Sequence, residues 1–290
     1  LARIAERVIE RTAQWLKNPQ TKDGSWSPAP SDYHAASWER IQHNEIMPTA
    51  YVCWALGDAG YKGAETNRGL DYLKKNLASA AKDAYIMALV ANAFAANDPK
   101  SEATMEVLKI LVGMAKEKDG AVWWESGLPT VTWSRGDGAA VEASGLAVYA
   151  LIKSGKFSDV VTKGLTYLIR SKDASGMWPT TQGTIIAMRA LIAALGGSTE
   201  DVKADVIVKM NGKTVKELKI DKTNADVMQQ IDLTENIKAE NPVEISVKGE
   251  GRFLYELTST YYLPWDILPK PQIPPFDIGS FHFPGIPFNN

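Results

Sequence analysis

The sequence predicts a mainly α fold: an α/α toroid of helical hairpins, partial at about four hairpins, followed by a small antiparallel β segment. Three observations carry this. A unit of amphipathic helix, Gly-centred turn and more apolar helix occurs four times in the first 197 residues. The second helix of the unit is apolar almost all round, which suits a helix enclosed by others. After Gly197 the apolar spacing changes from helical to alternating. A repeated unit that never exposes its second helix argues for a toroid rather than an open solenoid.

Residues 163–196, KGLTYLIRSKDASGMWPTTQGTIIAMRALIAALG, show the unit most plainly. Leu165, Leu168 and Ile169 recur at i, i+3 and i+4, a helical stripe. Ser175-Gly176 ends this helix, because glycine enters the left-handed conformation that closes a helix. Trp178 follows, and Pro179, Thr180 and Thr181 supply a stop and then a cap for the next helix. From Ile185 to Leu195 nearly every residue is apolar, so this helix is expected to be covered on most sides. The first unit pairs residues 2–17 with about 47–57, through a turn at Asp23-Gly24-Ser25-Trp26 and a polar excursion over 27–46. The second pairs 65–77 with 84–96. The third opens on Asp98 as N-cap with Pro99 in the first helical position. It runs to Lys118, breaks at Asp119-Gly120, passes a Trp-rich loop and returns over 139–152.

In the β segment Val206 and Val208 alternate with Asp205 and Lys209, and Asn211-Gly212 is a strong hairpin signal. Residues 215–221 return, and 227–233, 243–248 and 253–262 add three strands, about five in all. A sheet this small needs another surface to pack against. From Leu263 onward, seven prolines in 28 residues exclude helix and sheet. The expected organisation is a toroid over 1–197, a β segment over 198–264 and a Pro-rich tail over 265–290.

With 290 residues, 45% of them hydrophobic, the chain can bury a full core. A formal net charge of −2 gives no footprint for nucleic acid or an anionic membrane. No apolar run approaches the roughly 18 residues of a membrane span. The opening residues LARIAERVIERT form a charged amphipathic helix rather than a signal peptide, so the sequence reads as a piece of a longer protein. A single cysteine, Cys53, excludes an internal disulfide and a Cys-based metal cluster. Three histidines without ligand-spaced partners give no zinc site, and no cofactor is expected.

Four motifs carry a family resemblance. The run GLTYLIRSKDASGMWPTTQGTIIAMRALIAAL looks like a final hairpin in which a Gly-rich turn precedes a Ser-Thr-Gln-Asp-Thr helix start; Gly183 stands where Asp is usual. AVWWESG and AAVEASGLAVYALIKSG look like a Trp-Glu loop and an inner helix opening with Val-Glu. KGEGRFLYELTSTYYLP looks like the last strand of a CUB domain. In this order, over roughly residues 1–265, they resemble the thioester-domain region of the alpha-2-macroglobulin and complement family, of a bacterial type.

The resemblance implies a protease-trapping protein, an endopeptidase inhibitor rather than an enzyme, in the periplasm or outside the cell. Its implied partners are proteases and upstream β-sandwich domains of the same polypeptide, without nucleic acid or membrane contact. The toroid's part would be to keep water off a thioester until proteolysis elsewhere rearranges the molecule. One departure bears directly on this. Members that react covalently carry Cys-Gly-Glu-Gln, and here Cys53 is followed by Trp54-Ala55-Leu56. Only four of the family's six hairpins are expected, so the thioester is expected on an upstream segment or is absent.

Individual residues divide accordingly. Cys53, among Tyr51, Val52 and Trp54, reads as a buried core thiol. Trp26, Trp123, Trp124, Trp133 and Trp178 sit at turns and read as plugs for hairpin ends. Glu142 reads as a first-turn carboxylate that compensates the helix dipole. His34 is the candidate reactive residue. It lies eleven residues beyond Asp23 in DGSWSPAPSDYH, and in complement-type members a histidine similarly placed attacks the thioester. Imidazole suits the task as nucleophile and as leaving group. The competing class is an α/α-toroid enzyme, either terpene cyclase-like or polysaccharide-active through Glu125 or Glu142. The cyclase reading is weakened by the lack of an acid cluster and by the appended β segment.

Overall fold

The computed structural model describes residues 2–27, 45–173, 176–195, 203–225, 227–250, 255 and 257–262. Along them run α1 (Ala2–Lys17), α2 (Ile46–Asp58), α3 (Ala64–Lys75), the short α4 (Leu77–Ala80), α5 (Ala84–Asn97) and α6 (Glu102–Gly113). A small hairpin, β1 (Lys116–Lys118) and β2 (Ala121–Trp123), precedes α7 (Gly136–Ser154), α8 (Ser158–Arg170) and α9 (Thr181–Leu195). Among the described residues β3 (Lys203–Met210), β4 (Lys213–Asp221), a 3-10 turn (Thr234–Asn236) and β5 (Val243–Glu250) follow.

Apolar composition decides which helices lie inside. α2 packs on α5, α5 on α7 and α7 on α9, while the amphipathic α3, α6 and α8 lie against α2, α5 and α7. In α5, 13 of 14 residues are buried, and in α7, 15 of 19. Close approach of α7 and α9 depends on Gly145. A Cβ there would stand 2.6 Å from Ile186 Cγ2 and 3.3 Å from the Ala187 nitrogen.

Helices α1, α6 and α8 end in the same way. The Trp26 indole N–H donates to the Leu16 carbonyl at 2.6 Å, Trp124 to Leu111 at 2.7 Å, and Trp178 to Leu168 at 2.8 Å. Each donates to a carbonyl of the last turn, where partners within the helix run out; the Leu111 carbonyl also accepts from Met114 N at 3.1 Å, and each tryptophan is buried. α3 ends without a tryptophan; Asn76 Nδ2 donates to the Tyr72 carbonyl instead. Trp123 stacks on Tyr167 with centroids 5.7 Å apart, and Trp133 is 40% exposed. Three of the five tryptophans therefore plug hairpin ends.

Towards the C-terminal ends of α2 and α7, Asp58 accepts from Lys153 at 3.0 Å and from Arg189 of α9 at 2.7 Å. The Arg189 guanidinium lies over Trp54 and Tyr149, 4.9 and 4.6 Å from the ring centroids. This clasp brings side chains of α2 and α9 together across the inner layer.

Several expectations from the sequence are corrected. Helix α9 is covered on one face only: 5 of its 15 residues are buried, and Ile185 and Ile192 are 54% and 62% exposed. Its apolar composition cannot distinguish a face with a neighbour from one without. Helix α6 starts later than Asp98-Pro99. Its N-cap is Ser101, whose hydroxyl accepts from Thr104 N at 3.2 Å. It also ends at Gly113, and Asp119-Gly120 is the turn of the β1–β2 hairpin, with φ of 51° and 72°. The expected strand over 227–233 is irregular and leads into the 3-10 turn, and residues 257–262 form no strand.

The sheet has the order β4-β3-β5, antiparallel throughout, with a register shift at Val208/Lys209. Asn211 and Gly212 turn it with φ of 56° and 77°, the paired positive values a two-residue hairpin loop requires. Ala204, Val206, Val208 and Met210 are buried on one face of β3, as the alternation demands. By its contacts the chain divides into two units, Leu1–Arg252 and Phe253–Asn290. The tail beyond residue 262 and the boundary at 196–202 lie outside the described residues.

Candidate functional site

The amino-terminal ends of α2, α5, α7 and α9 carry a polar cluster built around a carboxylate. Glu142 is the seventh residue of α7 and fully buried. It is thus beyond the first turn, and its partners are hydroxyls rather than the helix dipole. Thr132 Oγ1 donates to it, 3.1 Å from both carboxylate oxygens, Thr180 Oγ1 donates at 3.2 Å, and Ser134 Oγ makes a short bond to Oε1. The hydroxyls are ordered in turn. Thr130 Oγ1 accepts from Ser134 N at 3.2 Å and lies 3.1 Å from Thr132 Oγ1. Thr180 Oγ1 accepts from Gly183 N at 2.9 Å, which makes Thr180 the cap of α9. One carboxylate thereby fixes the loop before α7 and the start of α9 together.

A second carboxylate holds the other end of that loop. Asp83 caps α5, accepting from Tyr85 N at 2.9 Å and Ile86 N at 3.3 Å. The same group accepts from Ser126 Oγ at 2.9 Å and Gly127 N at 2.9 Å. Between the two anchors, Val131 N donates to Tyr85 Oη at 3.4 Å, and Tyr85 Oη lies 2.8 Å from Tyr51 Oη. Burial pushes the Tyr51 hydroxyl up to about 12 and raises that of Tyr85 further. The nearby Glu142 charge adds to both. Within the pinned loop Trp133 holds φ of 69°, a left-handed conformation that costs a non-glycine residue about 1 kcal/mol or more.

The residues singled out in the sequence fall in different places. His34 lies outside the described residues. Cys53 is fully buried, its Sγ 3.8 Å from the Thr66 carbonyl, and burial pushes its thiol up to about 12. It belongs to the core between α2 and α3. Glu125 is exposed and pairs with Lys116 at 2.5 Å and the Trp123 indole at 2.9 Å, which hold its carboxyl below the usual range. Glu142 and Thr180 do come together, although the sequence suggested only separate capping roles. Asp83, Tyr51, Tyr85 and Ser134 are missed by motif reading. Asp83 had a signal, since an Asp immediately before an apolar run is a helix start.

The model of the A-macroglobulin TED domain family matches residues 2–193, from α1 into the last turn of α9. Among curated proteins, ovostatin of Gallus gallus is 26% identical over 275 residues, covering 89% of this chain. Thioester-containing protein 1, allele R1, of Anopheles gambiae is 24% identical over 267 residues, covering 90%. Complement C3 of Eptatretus burgeri is 23% identical over 265 residues, covering 86%. The chain spans 18%, 18% and 15% of these relatives' own lengths. The inner and outer helices, the Trp-closed turns and the match over both layers together place this chain in the A-macroglobulin TED domain family.

Proposed function

We propose that this chain supplies part of the enclosure around a thioester borne by another segment of a longer, alpha-2-macroglobulin-like polypeptide, which traps attacking proteases at the cell envelope or outside the cell. The observation that carries the reading is the family match over residues 2–193, in a sequence without Cys-Gly-Glu-Gln. The half-covered α9 supports it. Its bare apolar face, with Ile185, Met188 and Ile192 at helical spacing, suits a further inner helix. In the proposed chemistry an amine nitrogen attacks the thioester carbonyl carbon and loses its proton. The C–S bond breaks, an amide forms, and the cysteine sulfur leaves as a thiol. For hydroxyl acceptors, His34 attacks first, giving an acyl-imidazole that the hydroxyl then opens. Alone, without the thioester-bearing segment, the chain is proposed to do no covalent chemistry.

The test is methylamine. The polypeptide carrying the thioester should gain one methylamine adduct and release one thiol, while this chain alone gains no mass. An adduct on the isolated chain, or no thiol released from the whole polypeptide, refutes the reading. For His34, the His34→Ala variant of the whole polypeptide should shift products from ester towards amide. An unchanged ratio removes His34 from the mechanism.

A further inference from the structure

Burial fixes the direction of the hydrogen bonds around Tyr85. Its ring is 1% exposed, and its oxygen meets two groups, Val131 N and Tyr51 Oη. The amide can only donate. Among the described residues the Tyr85 proton therefore has one acceptor, Tyr51 Oη, and leaving a buried hydroxyl proton unpaired costs about 1–3 kcal/mol. Tyr51 Oη thus accepts the hydrogen bond from Tyr85, and its own hydroxyl hydrogen meets no acceptor among the described residues. Tyr51 is half-buried as a residue but its hydroxyl is largely desolvated, so an unpaired donor there calls for an acceptor from beyond the described residues. Val131 N–H, Tyr85 O–H and Tyr51 O–H point in one sense, an arrangement in which each donor strengthens the next.

We propose that the Tyr51 hydroxyl is a ligand-facing donor at this end of the inner helices, and that its acceptor is the carbonyl oxygen of a neutral acyl group. The assignment rests on the thioester reading above, in which that group is the thioester. Charge selects against the alternative acceptor. The Glu142 carboxylate lies close enough to raise the Tyr51 pKa, and the same field repels a carboxylate ligand while leaving a neutral carbonyl unpenalised. A bond from Tyr51 fixes the rotation of the acyl group and with it the face from which a nucleophile approaches.

The experiment titrates the full chain with S-acetyl-N-acetylcysteamine, a small neutral thioester, and separately with acetate. Tyrosine labelled with carbon-13 at Cζ provides the signal, assigned by its loss in Tyr51→Phe. The thioester should shift the Tyr51 signal saturably towards that of a stronger donor. Acetate should bind at least about 5-fold more weakly, from the charge argument. Tyr51→Phe should weaken the thioester about 3- to 10-fold, the loss of one hydrogen bond. Tyr85→Phe, which keeps the donor and removes what orients it, should weaken binding by a smaller factor. No saturable shift, an unchanged affinity in a folded Tyr51→Phe chain, or acetate binding as tightly as the thioester overturns the proposal. If Tyr51→Phe does not fold, the direction of the wild-type shift decides alone. Thiol release with probe binding indifferent to Tyr51 overturns this inference and leaves the thioester reading. Binding that depends on Tyr51 without thiol release overturns that reading and leaves the carbonyl donor.

Discussion

Replacing Glu142 tests whether one carboxylate holds this end of the helical layer. Its two oxygens receive three hydroxyls, with Ser134 and Thr180 both on Oε1 and Thr132 shared. In Glu142→Gln the amide oxygen can replace Oε1, so the Ser134 and Thr180 bonds survive as neutral ones. Each falls from about 1.5–3 to about 0.5–1.5 kcal/mol. The amide nitrogen replaces Oε2, and the Thr132 hydroxyl can turn to accept from it, so that bond too survives only as a neutral one. The expected loss is about 2–4 kcal/mol. Glu142→Leu strands the Ser134 hydroxyl, which is 7% exposed, and the half-buried Thr180, while the exposed Thr132 returns to water. Its expected loss is roughly 3–5 kcal/mol, offset in part because no carboxylate is buried. Urea unfolding at pH 7, followed by near-ultraviolet circular dichroism, measures both. Hydrogen exchange at the Gly183 amide, which depends on the Thr180 cap, should quicken in each variant. A Glu142→Gln loss below about 0.5 kcal/mol, or Glu142→Leu as stable as wild type, refutes the reasoning.

Three further outcomes are expected. Cys53 should react with a thiol reagent at pH 8 far more slowly in the native chain than in denaturant, because burial holds its pKa near 12; equal rates would place it at the surface. Tyr51 titrates at about 12 in the folded chain against an ordinary 10, so its contribution to stability is complete below pH 10 and fades as pH rises through 12. Absorbance at 295 nm, compared with Tyr51→Phe, reports this, and native titration near 10 would contradict it. Gly145→Ala should lower stability by about 1–3 kcal/mol, since the new methyl stands 2.6 Å from Ile186 Cγ2. Gly113→Ala, with open space around it, should be neutral or stabilising; equal effects at the two sites would show that crowding at the α7–α9 crossing is not what matters.

Helix order and pairing were legible because each inner helix combines an apolar run with a nearby Gly turn. The two hairpin loops illustrate the limit. Asn211-Gly212 was read correctly, flanked by alternating apolar residues. Asp119-Gly120 has the same turn chemistry, yet its strands are three residues long and leave no periodic signal. At α6, Pro99 suited a first helical position, but the Ser101 hydroxyl supplied the better cap two residues later. The site was harder to see. Asp83, Tyr85, Ser126, Ser134, Glu142 and Thr180 are spread over about a hundred residues and meet only because inner helices share a polarity. No local spacing records such a meeting. The exposed face of α9 is invisible for the same reason: composition says that a face is apolar, and only a neighbouring helix says whether it is dry.

The three indole bonds at the ends of α1, α6 and α8 each reach back only 10 to 13 residues. Each terminator therefore travels with the stretch of chain it terminates. A hairpin copied into a new place would bring its own stop and would not rely on contacts in the acceptor ring. Units need not share one kind of stop, and α3 is closed by Asn76 rather than an indole. Each tryptophan also reports on its own segment. Indole N–H exchange rates at Trp26, Trp124 and Trp178 would read the fraying of three separate helices within a single spectrum.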